Sequence, residues 1–190
     1  FKQLSTYTHE KDTGKVTGSY LKTSTDSVDT ALKWDIGARY ERLLTEKFSG
    51  YVGYSVESDR FANFIQRNNA DLGGKYQIRK SEKFDAVSEL GYRYTIEDRA
   101  QQTTDLYYSS VRLYLEGVYR INETNSTKLW VEYLPNLDDS DNYKINTEAS
   151  ISSAINTMFS LKVAYLVNYN NGQIKDATTG IRPDYTDTTL

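Results

Sequence analysis

Between Ser27 and Glu57 the chain alternates apolar and charged residues along two long runs, and this period of two limits the fold more than any other feature. Val28, Thr30, Leu32, Trp34, Ile36, Ala38 and Tyr40 share one parity; Asp29, Ala31, Lys33, Asp35, Gly37, Arg39 and Glu41 share the other. A strand points successive side chains to opposite faces, so the first set makes an apolar face and the second a charged one. After Leu44-Thr45-Glu46-Lys47 the pattern resumes, with Phe48, Gly50, Val52, Tyr54 and Val56 against Ser49, Tyr51, Gly53, Ser55 and Glu57. The stretch reads as a long antiparallel hairpin with one apolar face. That face meets either lipid or a protein core.

The rest of the chain repeats the design. Phe64, Ala70, Leu72, Gly74, Tyr76 and Ile78 oppose Arg67, Asn69, Asp71, Lys75 and Arg79. Phe84, Ala86, Leu90, Tyr92, Tyr94 and Ile96 oppose Asp85, Glu89, Arg93 and Glu97. Tyr107, Val111, Leu113, Leu115 and Tyr119 oppose Ser110, Arg112, Tyr114, Glu116 and Arg120, and Leu129, Val131 and Tyr133 oppose Lys128, Trp130 and Glu132. Two further runs follow, Tyr143 to Ile155 and Phe159 to Tyr169, carrying Glu148 and Lys162 on their polar parity. Weaker alternation precedes the hairpin, in Phe1–His9 and Lys15–Thr25, and a last fragment spans Asp184–Leu190.

Short turns begin near Thr45, Ser81, Glu123 and Asn156, a hairpin-length repeat echoed in LTEKF, KSEKF and NTMF. The connections between these hairpins are longer and more polar. Short turns at one end and longer loops at the other are the layout of outer-membrane barrels. The expected fold is a single all-β domain over residues 1–190, an antiparallel up-and-down transmembrane β-barrel. Eleven segments are visible; bacterial barrels have even strand numbers, so about twelve are expected in the complete protein. The chain begins inside what reads as a strand and ends mid-pattern on DYTDTTL, which suggests truncation at both ends.

Composition narrows the function classes. Seventeen tyrosines and two prolines favour strands, since aromatic side chains suit a pleated surface. The mean hydropathy is −0.67. No apolar run approaches the ~20 residues of a membrane helix, which excludes a helical membrane protein but not a barrel. The chain has no cysteine, hence no disulfide framework or thiol chemistry, and its net charge of −3 comes from interspersed charges, with no basic stripe for nucleic acid.

No phosphate-binding glycine loop, His/Cys metal spacing or dinucleotide signature occurs, so no cofactor is expected. His9, the one histidine, has no accompanying serine motif to make it the general base of a lipase. The Asp138, Asp139, Asp141 loop lacks the glycine and spacing of an EF-hand, and reads as a solvated loop. The chain is not expected to be an enzyme.

Which face is inside is decided by aromatic spacing. Phe48, Phe84 and Phe159 each follow a short turn, while Tyr54, Tyr92, Tyr94, Tyr165 and Tyr169 lie further along the same face. Ten residues separate Phe159 from Tyr169, ~33 Å of strand. At a tilt of ~40° this projects to ~25 Å, the height of a lipid-facing band between aromatic girdles. Runs of ten residues and more also exceed the ~5–6 usual in soluble sheets. The polar parity carries opposite charges at Asp35/Arg39, Asp71/Lys75, Glu89/Arg93, Arg112/Glu116, Lys128/Glu132 and Glu148/Lys162. With Glu41 and Arg67, these are the candidate lumen-lining residues, expected to form a ladder of ion pairs. The competing reading is a soluble barrel with the apolar face inward, binding an apolar ligand near Trp34.

ARYERLLTEKFSGYVGYSVESDRF, the DLGGKYQI strand with the later ELGYRY, and the terminal DYTDTTL occur here in the order seen in a known family. On these stretches the chain resembles the salt-induced outer-membrane protein family (YdiY type). The resemblance implies a Gram-negative outer-membrane β-barrel of ill-defined function, with membrane lipid as its surroundings and small solutes or ions as possible cargo.

Overall fold

The computed structural model describes residues 2–25, 28–59, 64–99, 104–156, 159–171 and 185–189. Among these residues there is no helix. The strands are β1 (Lys2–His9), β2 (Asp12–Thr25), β3 (Val28–Leu43), β4 (Phe48–Asp59), β5 (Phe64–Lys80) and β6 (Phe84–Arg99). They continue as β7 (Leu106–Arg120), β8 (Asn125–Pro135), β9 (Tyr143–Ala154), β10 (Ser160–Asn170) and β11 (Tyr185–Thr189). They form one sheet in sequential order from β1 to β11, so every connection is a hairpin and the fold is the expected antiparallel up-and-down one. Val28 and Thr30 belong to β3, but their side chains, like the residues Phe1, Ser27, Asp184 and Leu190, lie outside the described set.

Pairing registers keep the two parities apart. Across β3 and β4, Ile36 faces Val56, Ala38 faces Tyr54 and Tyr40 faces Val52, while Asp35 faces Glu57 and Glu41 faces Tyr51. Across β8, β9 and β10, Leu129 faces Ala149, which faces Tyr165. A slip of one residue would reverse both faces, so this alternation pins the register. β5 runs for 17 residues and β3 and β6 for 16 each, against the ~9–11 that a tilted strand needs to cross a bilayer.

One turn design recurs four times. A side-chain oxygen on the first turn residue accepts a hydrogen bond from the backbone N–H three residues on. Thr45 Oγ1 serves Phe48 N at 3.1 Å and Ser81 Oγ serves Phe84 N at 3.0 Å. Asn122 Oδ1 serves Asn125 N at 2.7 Å and Asn156 Oδ1 serves Phe159 N at 2.8 Å. The third turn is thus organised by Asn122 rather than Glu123, because Asn carries the acceptor that this conformation uses. The turn between β1 and β2 is tighter: Glu10 has φ 50°, the left-handed conformation of a two-residue hairpin.

The alternate connections do not all lengthen. Residues 26–27 join β2 to β3 and 60–63 join β4 to β5; only from β6 onward do these loops exceed the short turns.

Contacts divide the chain into two compact units, Phe1–Gly74 with Gly91–Ser110, and Lys75–Leu90 with Val111–Leu190. In the first, Glu41, Tyr51, Asn69, Thr95 and Glu97 are buried; in the second, Glu89, Arg112, Glu132, Glu148 and Ser150 are. In both units most of the buried side chains lie on the polar parity; Ser58, Phe64 and Ala86, on the other parity, are also buried.

Candidate functional site

This distribution inverts that of a water-soluble domain. Leu72 and Leu90 are 61% and 62% exposed, and Ile36, Val52, Leu115, Leu129, Ile151 and Val163 are exposed on the same apolar parity. Single exposed apolar side chains are ordinary, but buried charges on strands whose other parity is repeatedly apolar and exposed are informative. Most of the side chains that evade solvent are polar or charged.

In the first unit the network centres on Glu97, 1% exposed on β6. Its carboxylate accepts from Arg67 Nε at 2.6 Å, Arg99 Nε at 2.5 Å and the Tyr108 hydroxyl at 3.0 Å. Arg67 also donates to Glu57 at 3.1 Å. Asn69 links Glu57 to Thr95, donating to the first at 3.3 Å and accepting from the second at 2.9 Å. One step along, Arg93 forks onto Asp71 with bonds of 2.7 and 3.0 Å, the bidentate geometry that makes guanidinium–carboxylate pairs strong. Nearer the short turns, Glu41 takes Lys15 at 2.7 Å and Arg39 at 2.8 Å, and the Arg39 guanidinium lies 3.7 Å from the centre of the Tyr51 ring. Asp35 accepts from the Ser19 hydroxyl.

In the second unit Arg112 is held between two acids. Its Nη1 donates to Glu89 Oε2 and its Nε to Glu132 Oε1, each at 2.5 Å. Glu132 also accepts from Asn146 Nδ2 at 2.9 Å. Glu116 takes Lys128 at 2.5 Å and the Tyr114 hydroxyl at 2.6 Å, and the Tyr114 and Trp130 rings stand 5.9 Å apart. Glu148 accepts from Lys162 at 2.6 Å. Buried charges are tolerated because partners replace the water that each has lost. A face of compensated charges can coordinate water and set which small ions cross it.

The apolar face is edged with aromatics. Phe48, Phe84 and Phe159 are exposed beside the short turns. At the loop end of the second unit, Tyr143 meets Tyr133 edge-on and Tyr169 at a tilt, with ring centres 5.8 and 5.9 Å away. Rings with an apolar body and a polar tip suit a membrane–water boundary.

A family model described as "Protein of unknown function, DUF481" matches residues 2–190. The chain belongs to this family. No curated protein and no solved structure matches it.

In this DUF481 chain the structure puts the fourteen sequence-nominated residues on one parity of their strands, and corrects how they pair. Residues four apart on a strand are ~13 Å apart, too far for most direct bridges, whereas cross-strand neighbours are ~5 Å apart. Asp71 bonds Arg93 across the strands, Arg112 bonds Glu89 and Glu132, and Lys128 bonds Glu116. Of the nominated pairs, Glu148 and Lys162, already on different strands, are joined by a bridge, and the Lys162 side chain is 47% exposed. Lys75 is half-buried on β5.

Glu57, Glu97, Arg99 and Tyr108 were not nominated, although Glu57 and Glu97 share the polar parity and the spacing that marked Glu89 and Arg93. Phe64 needs a second correction. Grouped by parity with the apolar face, it is buried, and the Arg67 guanidinium lies 3.8 Å from its ring centre. His9 is exposed at the end of β1. In the acidic loop Asp139 Oδ1 accepts from Asp141 N at 3.2 Å, a turn-forming role.

Proposed function

We propose that this protein is a β-barrel of the Gram-negative outer membrane, of the salt-induced (YdiY) type, whose apolar face contacts lipid and whose polar face surrounds a narrow or closed lumen. One observation carries the reading: the ion-paired face is buried and the leucine- and tyrosine-rich face is exposed. In water, leaving a Leu, Val or Phe side chain exposed forgoes about 1.5–3 kcal/mol relative to burial. Lipid removes that penalty, since the bilayer core is as apolar as the side chains. The strand lengths and the two aromatic edges support the same placement.

The role is that of a minor channel or a structural envelope protein rather than an enzyme. Paired charges of both signs fill interior space and compensate one another, which favours a small or absent conductance over that of a porin. Purified protein added to planar lipid bilayers tests this. Rare, small or no current steps are expected; large steady conductance would overturn the closed lumen. The soluble alternative, a barrel holding an apolar ligand, needs the apolar parity buried, and the burial pattern weighs against it.

A further inference from the structure

Resting on the membrane reading above, we infer that in the first unit the bilayer's hydrocarbon is confined to the stretch of β3 between Leu32 and Arg42, with Trp34 seated at its loop-side border, at the level of the lipid glycerols. The apolar parity of β3 runs Leu32, Trp34, Ile36, Ala38, Tyr40, Arg42. Charge enters this parity at both ends: Leu32 faces Lys22 on β2, and Arg42 faces Asp12, with which it pairs. Between those two rows, the partners of Trp34, Ile36, Ala38 and Tyr40 on β2 and β4 are all uncharged.

The length of the uncharged stretch fits a bilayer. Leu32 and Arg42 are ten residues apart, ~33 Å of strand. At a tilt of ~40° the rise is ~25 Å, the height of a barrel's lipid-facing band. The aromatic side chains sit just inside each charged row. Tyr40 donates its hydroxyl to Asp12 Oδ1 at 2.6 Å, so its polar tip points to the short-turn end. Trp34, half-buried, stands at the other end between Tyr20, 47% exposed, and the hydroxyl-bearing Ser58. Rings with an apolar body and a polar edge settle at the hydrocarbon border. Lys22, exposed one row further out, lies on the headgroup side, where its stem runs beside Leu32 and its ammonium stays in water. β5 shows the same change towards its loop end: Leu72 gives way to Asn68 and Gln66 on one parity, and Asn68 Oδ1 accepts from the Tyr54 hydroxyl at 3.0 Å and from Gln66 Nε2 at 3.1 Å.

The chain has two tryptophans, so Trp130→Phe leaves Trp34 as the only one and lets its own fluorescence report depth. The full chain carrying Trp130→Phe is refolded into liposomes of phosphatidylcholine brominated either near the glycerol or near the chain end. A companion variant, Trp34→Phe/Trp130→Phe/Val16→Trp, moves the reporter two rows inward, since Val16 faces Ala38 and is exposed. Trp34 should be quenched more by the bromines near the glycerol. The tryptophan at position 16 should show the reverse order, with its emission shifted to the blue of that from Trp34. Quenching of Trp34 that is equal or stronger from the chain end overturns the border and leaves the membrane reading standing. The same order of quenching at both positions does so too. If the companion variant fails to insert, the order measured at Trp34 decides alone. Absence of quenching by either lipid in both proteins removes the membrane reading, and the border with it.

Discussion

Glu97 shows what burying a charge demands of its surroundings. Its carboxylate has two guanidinium donors and a tyrosine hydroxyl, and Arg67 in turn leans on Glu57. Glu97→Gln keeps the shape and removes the charge that Arg67 and Arg99 share, leaving Arg67 its bridge to Glu57. Breaking one partner of a buried pair costs about 3–5 kcal/mol. Urea titration in detergent should place this variant well below wild type. Loss of the exposed Arg42–Asp12 pair, 3.5 Å apart, should change stability by at most about 1 kcal/mol.

Gly91 makes the steric counterpart. A Cβ there would stand against the Tyr51 hydroxyl and 3.0 Å from the backbone oxygen of Leu72, whereas one on Gly14 meets nothing within 4 Å. Gly91→Ala should therefore destabilise by about 1–3 kcal/mol through overpacking, and Gly14→Ala should be neutral or slightly stabilising in the same titration. A steady midpoint for Gly91→Ala would show that the close approach is not maintained.

The hairpins are built from a local rule and a non-local one, and only the first was legible in the chain. The turns LTEKF and KSEKF announce themselves, because Thr45 and Ser81 carry the hydroxyl that caps the turn and a phenylalanine follows in each. INETN uses an asparagine for the same bond and lacks the phenylalanine, which is why its start is read one residue late. Removing the cap tests the rule: Ser81→Ala and Asn156→Ala should each cost about 1 kcal/mol, the usual worth of one hydrogen bond. Equal losses at both sites, measured by thermal unfolding in detergent, would mark the four turns as one element. No loss at either would assign the turns to strand pairing alone.

The faces of the strands were legible for the same local reason, since parity needs no partner. Ion-pair partners were not, because they depend on the stagger between strands. Nothing within DLGGKYQI says that Asp71 will meet Arg93 on the next strand. Phe64 was misplaced for a related reason: it opens β5, where a buried guanidinium offers its ring a better site than the parity assigns.

Whether the exposed apolar face meets lipid is a question about environment, and one substitution separates the answers. Leu72 lies at the centre of β5, eight residues from either end, and points out on that face. In water, Leu72→Arg changes an already solvated side chain, and surface substitutions of that kind stay within about 0.5 kcal/mol. At the middle of a bilayer the same arginine costs about 2–4 kcal/mol, falling towards zero near the interfaces. Refolding into liposomes against urea should therefore show a loss of that size for Leu72→Arg. Lys80→Leu, at the exposed end of the same strand, should show little. The depth dependence carries the argument, because a merely disruptive substitution has no reason to weaken towards the strand end. A series along the apolar face of β5, Leu72, Tyr76 and Ile78 each changed to arginine, should decline in cost towards the short turn. A flat series with small costs throughout would put this face in water and return the apolar-ligand reading to the front.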